Sequence, residues 1–217
     1  MDRGKHQSGF TLIELMVALA IAMIVITLST PLSNIYKQNR VTTQVHNFVT
    51  DLNLARSTAV SNGSCVSLCI KNNDFDPEEP ESNRCKSPDT ATETWEDGWL
   101  VFTDSNCNAS IDNEGAIDGD TIIKTHSQLA KGFSLLVNST NAGEGADNNN
   151  DRETITYQAS GTTPDSAGMW TLCDPSASDK FKRGIEISVS GRVKIYHDVV
   201  KAKEDDDDLV FVTCPTS

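Results

Sequence analysis

From Phe10 to Leu28 the chain runs nineteen residues on apolar side chains and threonine, with one charge among them, Glu14. At 1.5 Å per residue a helix of that length is about 28 Å long, close to the ~30 Å hydrocarbon core of a bilayer. A secretory signal fits poorly. Its apolar region is shorter, roughly 7–15 residues, and a small-residue cleavage site should follow it. Here the run is longer and Ser29-Thr30-Pro31-Leu32 comes next. The stretch therefore reads as a span that stays with the protein.

Glu14 is the anomaly in it. A carboxylate within hydrocarbon costs about 2.5–3.5 kcal/mol on the mildest scale. That cost falls if the acid finds a cation, or if it sits in the first turn of a helix, where the dipole favours negative charge. Were the chain to begin at Phe10, both conditions could be met. Glu14 would lie one turn into the helix, and a neighbouring copy could present its own terminal amine.

The rest of the chain is of another character. The first 31 residues are net neutral, so the whole formal charge of −13 lies beyond Pro31. An acidic body of that kind argues against a general nucleic-acid coat. Flanking charges leave the orientation of the span open, because Arg3 and Lys5 before it balance Lys37 and Arg40 after it. Six cysteines in the acidic body favour an oxidising compartment outside the cytoplasm.

Beyond Pro31, Val41, Val45, Phe48, Val49, Leu52, Ala55 and Ala59 fall on one helical stripe, and Asn62-Gly63 supplies a stop. The proline invites a kink between two helical halves. Alternation then predicts strands at Cys65–Cys69, Trp99–Phe102, Ile185–Val189 and Val193–Ile195, with a turn at Ser190-Gly191. Leu209–Val212 reads as a closing strand. The expected fold is α+β, a long N-terminal helix packed on antiparallel sheet.

Gly9-Phe10-Thr11-Leu12-Ile13-Glu14-Leu15 resembles the processing site of type IV pilins and type II secretion pseudopilins. The resemblance implies cleavage between Gly9 and Phe10 by a prepilin peptidase, N-methylation of Phe10, and docking of Glu14 against a neighbour's amine during assembly. Pro31 stands where many pilins break this helix. Residues 1–9 would be the leader, 10–31 the transmembrane and assembly helix, 32–63 an amphipathic helix and 64–217 a β-rich periplasmic head. Within the superfamily, Trp95-x-x-Gly98-Trp99-x-Val101-Phe102-x-Asp104 resembles the GspH/FimT group, as do Ala55-Arg56-Ser57-x-Ala59 and Ser190-Gly191-Arg192-Val193. That likeness implies a minor pilin of the inner membrane that primes or caps a filament. Its partners would be other minor pilins, the major pilin and the inner-membrane assembly platform. A pseudopilin of type II secretion is the neighbouring reading.

On a strand, Cys65 and Cys69 share a face about 13 Å apart, too far to bond each other. Each needs another partner, with Cys85 and Cys107 in the adjacent loops, which leaves Cys173 with Cys214. No Cys-x-x-Cys pair is present, and His126 and His197 have no ligand partner nearby in sequence, so neither metal nor cofactor is expected. Asp104-x-Asn106-x-Asn108-x-x-x-Asp112 resembles the opening of a calcium loop but lacks its glycine and terminal glutamate; a turn held by Asx hydrogen bonds is the favoured reading.

Residues 180–203 hold seven basic and two acidic side chains, a local excess of five positive charges. Some FimT-like relatives capture DNA with a basic Gly-Arg-x-Arg hairpin, and Gly191-Arg192-Val193-Lys194 is similar but ends in lysine. Arg192 and Lys194 are thus candidate phosphate contacts, although an acidic run at 204–208 follows and few aromatics could stack bases. No enzyme motif is present.

Overall fold

The computed structural model describes residues 10–72, 85, 94–112, 119–138, 153–205 and 211–214, without the side chains of 27–33, 138 and 204–205. The leader through Gly9, the side chain of Pro31, residues 206–208 of the acidic run and Leu209-Val210 lie outside the described residues. The chain divides into two compact units, Met1–Arg40 and Val41–Ser217.

Helix α1, Leu12–Asn62, contributes to both units. Its assignment is continuous through Pro31, where the sequence suggested a break. Proline's fixed φ is itself helical, so the backbone can pass through at the loss of one hydrogen bond. In the first unit every described side chain from Phe10 to Ile26 is exposed. Among the described residues no helix is long and apolar enough to cross a membrane.

The second unit begins where α1 starts to bury a face. Val41, Val45, Phe48, Leu52, Ala55 and Ala59 are all buried, and Val49 packs partly against them, which is the stripe read from the spacing. The helix ends as expected, with Gly63 N donating to Ala59 O at 2.9 Å.

Among the described residues, eight strands form two antiparallel four-stranded sheets. In the first, of order β3-β2-β1-β5, the strands are β1 Cys65–Ile70, β2 Trp99–Asp104, β3 Ile122–His126 and β5 Thr154–Tyr157. In the second, of order β4-β6-β7-β8, they are β4 Ser134–Asn138, β6 Gly168–Cys173, β7 Arg183–Ile187 and β8 Val193–Tyr196. A short helix, α2, spans Val199–Asp205. Alternation identified β1, β2, β7 and β8. It missed β6, whose Gly-Met-Trp-Thr-Leu-Cys sequence is apolar but for one threonine and so shows no clear alternation. Phe211–Cys214 form no strand; instead Val212 N donates to Thr171 Oγ1 at 3.1 Å on β6.

One core joins α1 to both sheets, with Phe48, Val101, Tyr157, Trp170 and Ile185 among its members. The outer face of the first sheet carries a second cluster, in which Cys69, Cys85, Leu100 and Phe102 pack together. This is why all six residues of β1 are buried. Disulfides join Cys65 to Cys107, Cys69 to Cys85 and Cys173 to Cys214.

The tryptophan motif sits where helix and sheet meet. Trp95, in a single 3-10 turn over Trp95–Asp97, and Trp99, at the head of β2, both pack edge-to-face with Phe48, with centroids at 5.8 and 5.2 Å. The turn is fixed by a capping box between Thr94 and Asp97. Gly98 holds φ +105°, and a Cβ there would strike the carbonyl of His126. Only glycine serves both demands. Trp99 Nε1 donates to Asp51 Oδ2 at 2.9 Å, and Lys124 Nζ donates to the other oxygen of that fully buried carboxylate.

Removing the carboxylate strands the indole N–H. Asp51→Ala should therefore lower unfolding free energy by about 2–3 kcal/mol in urea titrations. Asp51→Asn, which keeps an acceptor for Trp99, should cost distinctly less. Equal losses would mean that the indole bond contributes nothing.

Candidate assembly and binding sites

The N-terminal helix is the first candidate. Thr11 precedes it, and its Oγ1 accepts the backbone N–H of Glu14 at 3.3 Å, while Leu15 N donates to Thr11 O at 3.2 Å. Thr11 is thus the N-cap and Glu14 the third helical residue. The threonine-x-x-glutamate spacing of a capping box was legible in the sequence and went unread there. The carboxylate stands in the first turn, where the positive end of the helix dipole favours it. Around it, Phe10 is 84% and Ile13 71% exposed, and the apolar side chains continue bare on every side through Ile26. Covering each would be worth about 1.5–3 kcal/mol.

The second candidate is the β7–β8 hairpin. Arg192 and Lys194 are both exposed beside its turn. Lys194 Nζ lies 4.3 Å above the ring of Tyr196, whose hydroxyl donates to Glu186 Oε2 at 2.7 Å. Burial first, and then Glu186, raise the pKa of that hydroxyl against an opposing pull from Lys194. Lys194 is therefore engaged within the protein. The surrounding positive excess is also less open than its composition suggests. Lys182 and Arg183 are buried; Lys182 pairs with Asp179 at 3.0 Å, and Arg183 Nη1 donates to the carbonyls of Lys180 and Lys182. Burial lowers the pKa of Arg183, while Asp198 and Asp174 oppose it.

The hairpin turn is held from beneath by α1. Arg56 Nε donates to Gly161 O and Nη2 to Ser190 O, each at 3.0 Å, so one guanidinium ties a turn after β5 to the turn before β8. Thr163 N donates to Val189 O at 3.0 Å alongside. Gly191, at φ +74°, lies so close to Gly161 O that a Cβ would strike it. The alanine-arginine-serine motif on the helix and the serine-glycine-arginine motif in the hairpin, far apart in sequence, are thus two halves of one junction.

The third candidate, the loop after β2, is folded on itself. Asp104 Oδ1 accepts Asn108 N at 3.0 Å, and Oδ2 accepts Ser67 Oγ at 2.6 Å and Ala109 N at 2.8 Å. Asn106 and Asn108 both donate their amide groups to Asp112 Oδ2. Asp120 accepts from Ser105 and from Asp112 N. These oxygens hold backbone N–H groups in place, as an Asx turn does.

The family profile of the type II transport protein GspH matches residues 44–191. That of the prokaryotic N-terminal methylation motif matches residues 4–30. Among solved structures, the type IV minor pilin FimU of Pseudomonas aeruginosa (strain PAO1) is similar in two crystal forms. In space group P21 the identity is 19% and the TM-score 0.48, covering 73% of this chain and 89% of that one. In P65 the values are 18% and 0.42, covering 74% and 90%. Curated proteins give no match.

Arg56→Lys keeps the charge but loses the planar fork that reaches both carbonyls. It should cost about 1–2 kcal/mol of stability by chemical denaturation. An unchanged midpoint would remove Arg56 from the junction.

Proposed function

The chain belongs to the GspH family, and on that premise we propose that it is a minor type IV pilin that primes or caps filament assembly. The observation that carries this reading is the bare apolar helix from Phe10 to Ile26 with Glu14 as its one acid. Before assembly a bilayer encloses the helix, leaving the head on the periplasmic side of the inner membrane. After assembly the helices of other pilins replace the lipid. The work is assembly rather than catalysis.

Each step has a residue. The prepilin peptidase cuts between Gly9 and Phe10, and Phe10 becomes the methylated terminus. This creates an amine at the positive end of α1, one turn from Glu14. A carboxylate in hydrocarbon gains most from a charge-assisted hydrogen bond, and the amine of an incoming neighbour supplies its donor. The residues around Pro31 join the membrane-embedded and head-bearing parts of the helix. A type II secretion pseudopilin is the second reading, favoured by the family's description as a transport protein; the co-purifying subunits would separate the two.

Gly9→Ala should leave the precursor uncut in membranes containing active peptidase, seen as an unshifted intact mass. Glu14→Ala should be processed and inserted normally, yet leave cells with few or no filaments by electron microscopy. Full piliation would overturn the role of Glu14. For the DNA-uptake alternative, Arg192 and Lys194 are the residues at stake. A gel shift at low salt that disappears in Arg192→Ala/Lys194→Ala would support it, and no shift by the parent protein would dismiss it.

A further inference from the structure

Resting on the membrane-anchored reading above, we propose that Tyr36, Lys37 and Arg40 form a collar that binds anionic phospholipid headgroups and sets how deeply α1 sits before assembly. The first support is the charge pattern. In a chain of net charge −13, no acidic residue occurs between Glu14 and Asp51, and Lys37 and Arg40 are the formal charges in that interval. An anionic surface would attract this segment while repelling the acidic head beyond it.

The second support is length. At 1.5 Å per residue, Tyr36 lies about 39 Å and Arg40 about 45 Å along the helix from Phe10. A bilayer measured across both headgroup layers is ~40–45 Å thick. With Phe10 at one edge of the ~30 Å hydrocarbon core, an upright helix carries Tyr36 about 9 Å and Arg40 about 15 Å past the other edge, and tilt draws the three residues back toward the headgroup layer.

The third support is chemistry. Ile35 is 54% and Tyr36 64% exposed, so an aliphatic side chain and an aromatic one stand bare just before the basic residues. An aromatic with a polar tip next to Lys and Arg is the composition that settles at membrane–water boundaries. Tyr36 and Arg40 share one helix face, with the guanidinium 5.8 Å from the ring centroid, and Lys37 is three residues from Arg40 on the adjoining side. The ring can lie among acyl carbons near the glycerol level while both cations reach phosphates. Each basic residue near an anionic leaflet strengthens attachment roughly fivefold.

The test uses the full chain, spin-labelled through Asn34→Cys and reconstituted into phosphatidylcholine vesicles with or without phosphatidylglycerol. Collisions with oxygen and with a water-soluble relaxing agent report the depth of the label. With phosphatidylglycerol the label should sit at headgroup depth. Lys37→Gln/Arg40→Gln should raise the ratio of water-exposed to seated label about 25-fold and abolish the lipid dependence. A depth that ignores both phosphatidylglycerol and the double substitution overturns the collar while leaving the anchor intact. Failure of the parent chain to float with either kind of vesicle overturns the anchored reading, and the collar with it. Seating that appears only at high protein-to-lipid ratio would assign the cations to a neighbouring subunit's acids and overturn the lipid assignment.

Discussion

A helix that is apolar around its whole circumference has no inside of its own. From Leu12 to Ile26 α1 is apolar on every side but for Glu14, and its described side chains are all exposed. Solvent penalises such a rod by an amount larger than the net stability of most domains, and on the proposed reading lipid or other helices close over it. The isolated acid near its start follows from the same constraint. On the proposed reading it is costly in lipid alone and gains a partner when a neighbour's amine arrives, which would make the enclosed and paired state preferable to the merely enclosed one.

The second half of the helix solves a different problem. From Val41 onward it has one buried stripe, and two sheets are laid against it. The buried Asp51 shows how tightly the interface is specified. A carboxylate in that position is tolerated because an indole and an ammonium, from two different strands, converge on it. Arg56, less than two turns further on, does the same for two loops through their carbonyls. Polar side chains at chosen points along the stripe thus fix the register of the sheets on the helix, where apolar packing alone would permit sliding.

Much of this was legible in the sequence where one physical demand governed each residue. The helical stripe could be read because helix period and burial coincide, and β1, β2, β7 and β8 because alternation marks them. β6 was hidden because its sequence is apolar but for one threonine, and the alternation of β5, Thr-Ile-Thr-Tyr, went unread. The pairing of Cys65 and Cys69 with Cys107 and Cys85 needed the register of β1 against its neighbours, which no spacing rule supplies. Lys182 and Arg183 misled because composition counts charges without regard to burial. Arg56 and the Ser190-Gly191 turn were visible as separate motifs; that they meet depends on the fold. The extended reach of α1 through Pro31 depends on backbone geometry, which a rule about proline as a breaker does not capture.

The placement of the three disulfides has a mechanical consequence. Only Gly63 and Ser64 separate α1 from β1, so a pull along the helix arrives at Cys65 almost at once. The bridge to Cys107 then carries the tension past residues 66–106, and the Cys173–Cys214 bridge bypasses residues 174–213 in the same way. Only the stretch between Cys107 and Cys173 can pay out under load. A head stretched between its two ends would therefore extend by no more than those sixty-odd residues allow, about 220 Å at ~3.3 Å each, and then stiffen, as a tethered strap does when its slack is gone.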